Sequence, residues 1–160
     1  ELAPGRMSSL FQAFVRNFYA KESRYKVSST TIEWDALPLQ EGNEAFLPQM
    51  NTDVLLESAD RSIVVDTKYY TTTLQSHYRN PSRKTINSDN LYQIYSYLRN
   101  LETRGGTFPS CLGVLLYPTT SEDVDLRYDL HGHEVYVRTI NLNQDWQDVH
   151  RDLLAIIANE

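Results

Sequence analysis

The chain has 160 residues, of which 41% are hydrophobic and 22% charged, with a formal net charge of −6, which suits one soluble globular domain with a core of its own. It holds no apolar run near the roughly 18 residues of a membrane span and no signal-peptide pattern. Cys111 is the single cysteine, which excludes an internal disulfide and a cysteine-based zinc site and fits a reducing, cytoplasmic setting.

Taken in order, the opening ELAPGR reads as a linker remnant over residues 1–7. The spacing of Leu10, Phe11, Phe14, Val15, Phe18 and Tyr19 predicts a helix over 9–21, begun by a Ser9–Gln12 capping box. Residues 25–34 predict a strand, and 35–44, with Pro38 and Gly42, a loop. Residues 47–70, LPQMNTDVLLESADRSIVVDTKYY, predict a β-hairpin with runs 49–57 and 62–70 around a polar turn. Closing it symmetrically pairs Glu57 with Ser62, and therefore Asp53 with Asp66 on one face, with Cβ atoms roughly 4.5–5.5 Å apart. Lys68 joins that face by the strand period.

Residues 71–87 show no period and predict a mobile loop able to close over a substrate. A helix follows from a Ser88 or Asp89 cap to about Leu101, with Leu91, Tyr92, Tyr95 and Leu98 as its apolar stripe. Gln93 and Tyr97 lie four apart on an adjacent face, and Arg104-Gly105-Gly106 stops the helix. The apolar run 111–117 predicts a buried strand. Strands over 124–130 and 134–142 join at His131-Gly132-His133, whose histidines read as hairpin-turn polars. Asn143 caps a last helix that buries Trp146, Val149, Leu153 and Ile156.

Two carboxylates that close repel each other, and a divalent cation with hard-oxygen preference, such as Mg²⁺, relieves the repulsion. An adjacent lysine completes the equipment for attacking a phosphodiester. The bland alternative is a solvated surface hairpin; the apolar Ile63, Val64 and Val65 weigh against it. Between Asp66 and Asp89 there is no acid, while Lys68, Arg79, Arg83 and Lys84 fall there. That basic strip suits a phosphate backbone, and the overall −6 calls for another subunit or domain to hold the DNA. No GxxxxGK loop or GxSxG elbow is present, and Cys111 reads as inert packing. For Gln93, function and packing weigh equally on spacing alone.

Together Asp53, the Asp66-Thr67-Lys68 triplet and Gln93-x-x-x-Tyr97 resemble the PD-(D/E)xK nuclease superfamily and the QxxxY helix motif of its RecB-like branch. The ordered segments LFQAFVRNFYAKE, IEWDALPL, LPQMNTDVLL, IVVDTKYY, NLYQIYSYL, GVLLYP and NLNQDWQDVHRDLLAI are similar to McrC, the family of endonuclease subunits of McrBC modification-dependent restriction systems. The likeness runs from about residue 8 to 157.

The resemblance implies an α/β restriction-endonuclease-like core, a mixed β-sheet flanked by helices, as one domain over 1–160 without the family's N-terminal partner-binding region. It implies hydrolysis of methylated-cytosine-containing DNA with Mg²⁺, for which Mn²⁺ substitutes. The implied partner is a McrB-type AAA+ GTPase hexamer, through which alone GTP enters; dimerisation would serve double-strand cleavage. On this likeness Asp53, Asp66 and the Thr67 carbonyl hold the metal. Lys68 positions the attacking water or stabilises the transition state. Gln93, Tyr97, Tyr69, Arg79, Arg83 and Lys84 support the centre or the DNA. Many relatives carry a glutamate on the first helix where this chain has Gln12, which leaves one or two metal ions open. Glu22 and Glu57 are substitutes, although Glu57 lies about 13 Å along the strand from Asp53. Two alternatives stand beside this reading: a catalytically silent DNA-binding or assembly module, and a stand-alone RecB-like nuclease.

Overall fold

A computed structural model of the chain describes residues 4–70 and 72–159. Its centre is a strand that can only be buried: β8 (Leu112–Pro118) is an unbroken apolar run with every residue out of solvent. Parallel neighbours flank it on both sides, β5 (Ser62–Thr67) and β10 (His133–Ile140). Outward from β5 lie β4 (Val54–Glu57) and β1 (Lys26–Ser28), both antiparallel; outward from β10 lies β9 (Asp125–Leu130), also antiparallel. The six-stranded mixed sheet thus runs β1-β4-β5-β8-β10-β9.

Strand alternation divides the core in two. One face carries Val54, Leu56, Ile63, Val65, Val114 and Leu116 against α1 (Pro4–Glu22) and α3 (Trp146–Ile157). The other carries Leu55, Val64, Leu115 and Tyr117 against α2 (Ser88–Leu101). Each fully buried leucine or isoleucine contributes roughly 1.5–3 kcal/mol, so both layers are strongly held. The expected mixed sheet between helices is present. Among the described residues no helix is long and apolar enough to cross a membrane.

The β4–β5 hairpin has the predicted register, Glu57↔Ser62 through Val54↔Val65. Several other expectations are corrected. The first helix begins at Pro4, so residues 4–7 are helical rather than linker, and residues 1–3 lie outside the described residues. Ser9 is therefore no cap: it sits inside the helix and its hydroxyl bonds back to the Gly5 carbonyl at 3.1 Å. The expected strand over 25–34 breaks at Ser29-Thr30 into β1 and a short β2 (Thr31–Ile32), which pairs with β3 (Met50–Asn51) in a separate ladder.

The expected loop at 71–87 contains a hairpin, β6 (Leu74–His77) with β7 (Asn80–Ile86); Thr71 lies outside the described residues. Its two strands are exposed on both faces except near Leu74, Thr85 and Ile86, so no hydrophobic alternation marks them. Asn87, rather than Ser88 or Asp89, caps α2, its side chain accepting from the Asp89 and Asn90 amides. Asp145, not Asn143, precedes α3, and Trp146 is exposed, edge-on to Phe14 and Phe18. His131 (φ 56°) and Gly132 (φ 89°) form the tight β9–β10 turn. His133 is no turn polar: it is fully buried, its Nδ1 2.8 Å from the Cys111 carbonyl and its Nε2 2.7 Å from Glu102.

Candidate functional site

The β4–β5 ladder ends at Val54↔Val65, and the next pair outward is Asp53 and Asp66. Asp53 leaves regular strand structure there, where Ser29 and Thr30, in the break between β1 and β2, hold Thr52 and Asp53. The Thr52 amide donates to the Thr30 carbonyl at 2.9 Å, and the Ser29 hydroxyl donates to the Asp53 carbonyl at 2.7 Å. The Asp53 carboxylate turns toward β5, where its Oδ2 accepts from the Thr67 amide (2.9 Å) and the Thr67 hydroxyl (3.2 Å).

Asp66 is only 2% exposed. Its Oδ2 is buried and ion-paired with Lys68 Nζ at 3.0 Å. Burial pushes the Asp66 carboxyl up to about 7; Lys68 draws it back and the neighbouring Asp53 charge raises it further. A buried anion beside a second anion is costly.

The lysine is held from the other side. Lys68 Nζ donates to Gln93 Oε1 at 2.6 Å, and Gln93 Nε2 donates to the Tyr97 hydroxyl at 2.7 Å, so α2 fixes where the ammonium sits. The Lys68 amide bonds to the Leu116 carbonyl at 2.9 Å, which carries the β5–β8 pairing past Thr67 and keeps the side chain on the α2 face. Burial raises the Tyr97 hydroxyl's pKa, and both aspartates add to the rise.

Asp53, Asp66, Thr67, Lys68, Gln93 and Tyr97 are thus brought together. The remaining candidates stand apart. Tyr69 packs its ring 6.2 Å from Phe11 of α1, on the far face of the sheet from Lys68. Arg79 and Arg83 are exposed on the β6–β7 hairpin, while Lys84 is already engaged by Glu122 at 2.9 Å. Gln12 is half-buried on α1. Glu22 faces His150 at 3.2 Å, and Glu57 lies at the opposite end of β4, level with Ser62. Neither glutamate is brought to the aspartate pair, and no group of three or more acid, histidine or cysteine side chains fit for a metal occurs among the described residues.

One hydrogen-bonded cluster beside the centre escaped the sequence reading. Asn90 Nδ2 donates to the Tyr117 hydroxyl at 2.9 Å, and the Tyr70 hydroxyl donates to Asn90 Oδ1 at 3.2 Å. The signal was there in part: Asn90, Gln93 and Tyr97 recur at helical spacing, a polar edge on an otherwise sheet-facing stripe.

An oxygen-only pair of carboxylates, one of them buried, is a donor set that suits a single hard divalent cation. The family model described as the McrBC 5-methylcytosine restriction system component matches residues 5–118. The type IV methyl-directed restriction enzyme EcoKMcrBC of Escherichia coli (strain K12) is 32% identical over 151 residues, covering 94% of this chain. The chain spans 42% of the length of that relative. With its aspartate pair, its lysine and most of its sheet inside the matched span, the chain belongs to the McrBC 5-methylcytosine restriction system component family.

Proposed function

We propose that this chain is the Mg²⁺-dependent DNA endonuclease domain of a McrC-type subunit, working with a McrB-type AAA+ GTPase on DNA that carries methylated cytosine. The observation that carries this reading is the buried Asp66, with Asp53 beside it and Lys68 pinned against it by Gln93.

Asp53 and Asp66 are the residues that would hold the cation, with the Thr67 carbonyl as an expected third oxygen. When bound, Mg²⁺ supplies Lewis acidity that acidifies a water and shields the charge on the phosphate. The protein's own part is positional. Thr67 fixes the Asp53 carboxylate through two hydrogen bonds. Lys68 carries a fixed positive charge toward the growing negative charge of the transition state. Gln93 and Tyr97 prevent the lysine from swinging away. Attack by water leaves no covalent enzyme intermediate, and recognition of the modified base lies with the partner.

A plasmid-cleavage assay of the full-length subunit with its GTPase partner, GTP and Mg²⁺ tests this. Asp66→Ala and Lys68→Ala are each expected to lower cleavage roughly 10²–10³-fold; unchanged cleavage in either variant would falsify the assigned centre. A second reading, a silent nuclease-fold module, draws on the presence of only two converging carboxylates among the described residues. Calorimetry with Mn²⁺ separates the two, since the module predicts no binding that depends on Asp53 and Asp66.

A further inference from the structure

We propose that Tyr70 is a DNA-contacting platform at the mouth of this centre, held there by Asn90 and Tyr117, and that it packs against a base or deoxyribose flanking the scissile phosphate. This inference rests on the nuclease reading above and adds a contact to it.

Tyr70 follows Lys68 by two residues, where the chain leaves the sheet. Tyr70 is 41% exposed, yet both of its attachments are buried: Asn90 is 4% and Tyr117 1% exposed. The hydroxyl is tied to Asn90 at 3.2 Å, and the ring meets Tyr117 at 6.0 Å between centroids and 61°. Tyr117 shares the sheet face of Leu115, the residue level with Asp66, and the Asp66 charge acts on its hydroxyl. The clamp is therefore part of the wall of the acidic centre. A buried asparagine is tolerated when its amide is satisfied, and here both ends of the amide serve to orient one outward-facing ring.

An aromatic ring already fixed loses little freedom when a ligand arrives. An unstacked base stacks on such a ring, and a deoxyribose packs on it, without regard to sequence, as suits a nuclease whose modification readout lies elsewhere. Asn90 is then a positioning residue, acting through Tyr70.

The test uses the full-length subunit, a short fluorescein-labelled DNA duplex, and Ca²⁺ in place of Mg²⁺ to hold off cleavage. Tyr70→Ala is expected to raise the anisotropy Kd about five- to tenfold, and Asn90→Ala about two- to fourfold. Calorimetric Mg²⁺ affinity stays within about twofold in both, by the same separation of aromatic and carboxylate contacts. Tyr70→Trp restores binding, and its added indole fluorescence is quenched by the duplex. A Kd for Tyr70→Ala within about twofold of the parent overturns the platform. So does a loss of DNA binding matched by loss of Mg²⁺ affinity with no recovery in Tyr70→Trp, which is the mark of a purely structural role. If DNA binding depends on Tyr70 but Mg²⁺ binding ignores Asp66→Asn, the nuclease reading fails and the contact survives.

Discussion

Asp66 is the residue on which acidity and function meet. Its folded carboxyl titrates near 7, raised by burial first, against an ordinary aspartate value near 3.9. A raised carboxyl binds its proton more tightly in the folded chain than in the unfolded one. The stability it contributes is fully present below about 4 and is lost as pH rises through about 7. In EDTA, urea melts are therefore expected to show stability at this group falling between pH 4 and 7, limits set by those two values. Asp66→Asn should flatten that slope and stabilise the metal-free protein by about 1–2 kcal/mol at pH 8. A variant that keeps the parent's slope refutes the account. The same proton must leave before a cation binds, so Mn²⁺ affinity should fall about tenfold per pH unit below 7.

The facing of Asp53 and Asp66 was legible because strand parity leaves few choices once Glu57 meets Ser62. The Asn90–Tyr117 bond was not, since it joins residues 27 apart whose contact depends on how α2 lies on β8.

At the scale of elements, the centre depends on how closely α2 approaches the sheet, and Gly113 sets that distance. A Cβ added to it would meet Leu98 Cδ1 at 2.9 Å and Ile94 at 3.0 Å. Both neighbours are buried side chains of α2, one turn apart, Ile94 directly after Gln93 and Leu98 directly after Tyr97. Gly113→Val should therefore push α2 outward, cost about 1–3 kcal/mol, and loosen the Gln93 hold on Lys68, lowering cleavage beyond any loss of folded protein. Leu98→Ala opens room at the same place. The double variant should be less destabilised than the two single variants summed, by about 1 kcal/mol in a double-mutant cycle. Strict additivity would show that Gly113 does not set the packing of α2.

Long apolar or strongly periodic elements were readable: β8, the extent of α2 and the β4–β5 register; the stripe expected on α2 was not, since Ile94, Tyr97, Leu98 and Leu101 are buried and Tyr92 is exposed. The β6–β7 hairpin was not, because a ribbon wetted on both faces carries no two-residue hydrophobic period. The first helix was read too short for a related reason. Its opening turns, around Arg6 and Ser8, lie largely in solvent, and Ser9-x-x-Gln12 imitates a cap while sitting mid-helix.

At the scale of the molecule, charge decides how the domain meets DNA. The net charge is −6, and the acids Glu122, Asp123, Asp125 and Asp129 are exposed around β9. The cations the β6–β7 hairpin offers to a phosphate backbone are the exposed Arg79 and Arg83, since Lys84 is already engaged by Glu122. On the nuclease reading, few phosphates are neutralised by this hairpin, and the affinity it supplies is low. Counterion release makes the point measurable. The slope of log K against log salt should be about −2 for two contacts, because each phosphate contributes roughly −0.9. Arg79→Ala and Arg83→Ala should each flatten that slope by about 1, whereas Lys84→Ala leaves it nearly unchanged. Glu122→Gln is the informative variant: it releases Lys84 and removes a repelling charge, so binding should tighten and the slope steepen by about 1. If Lys84→Ala flattens the slope as much as the arginine variants do, the Glu122 bridge opens on DNA and the hairpin offers three cations to the backbone rather than two.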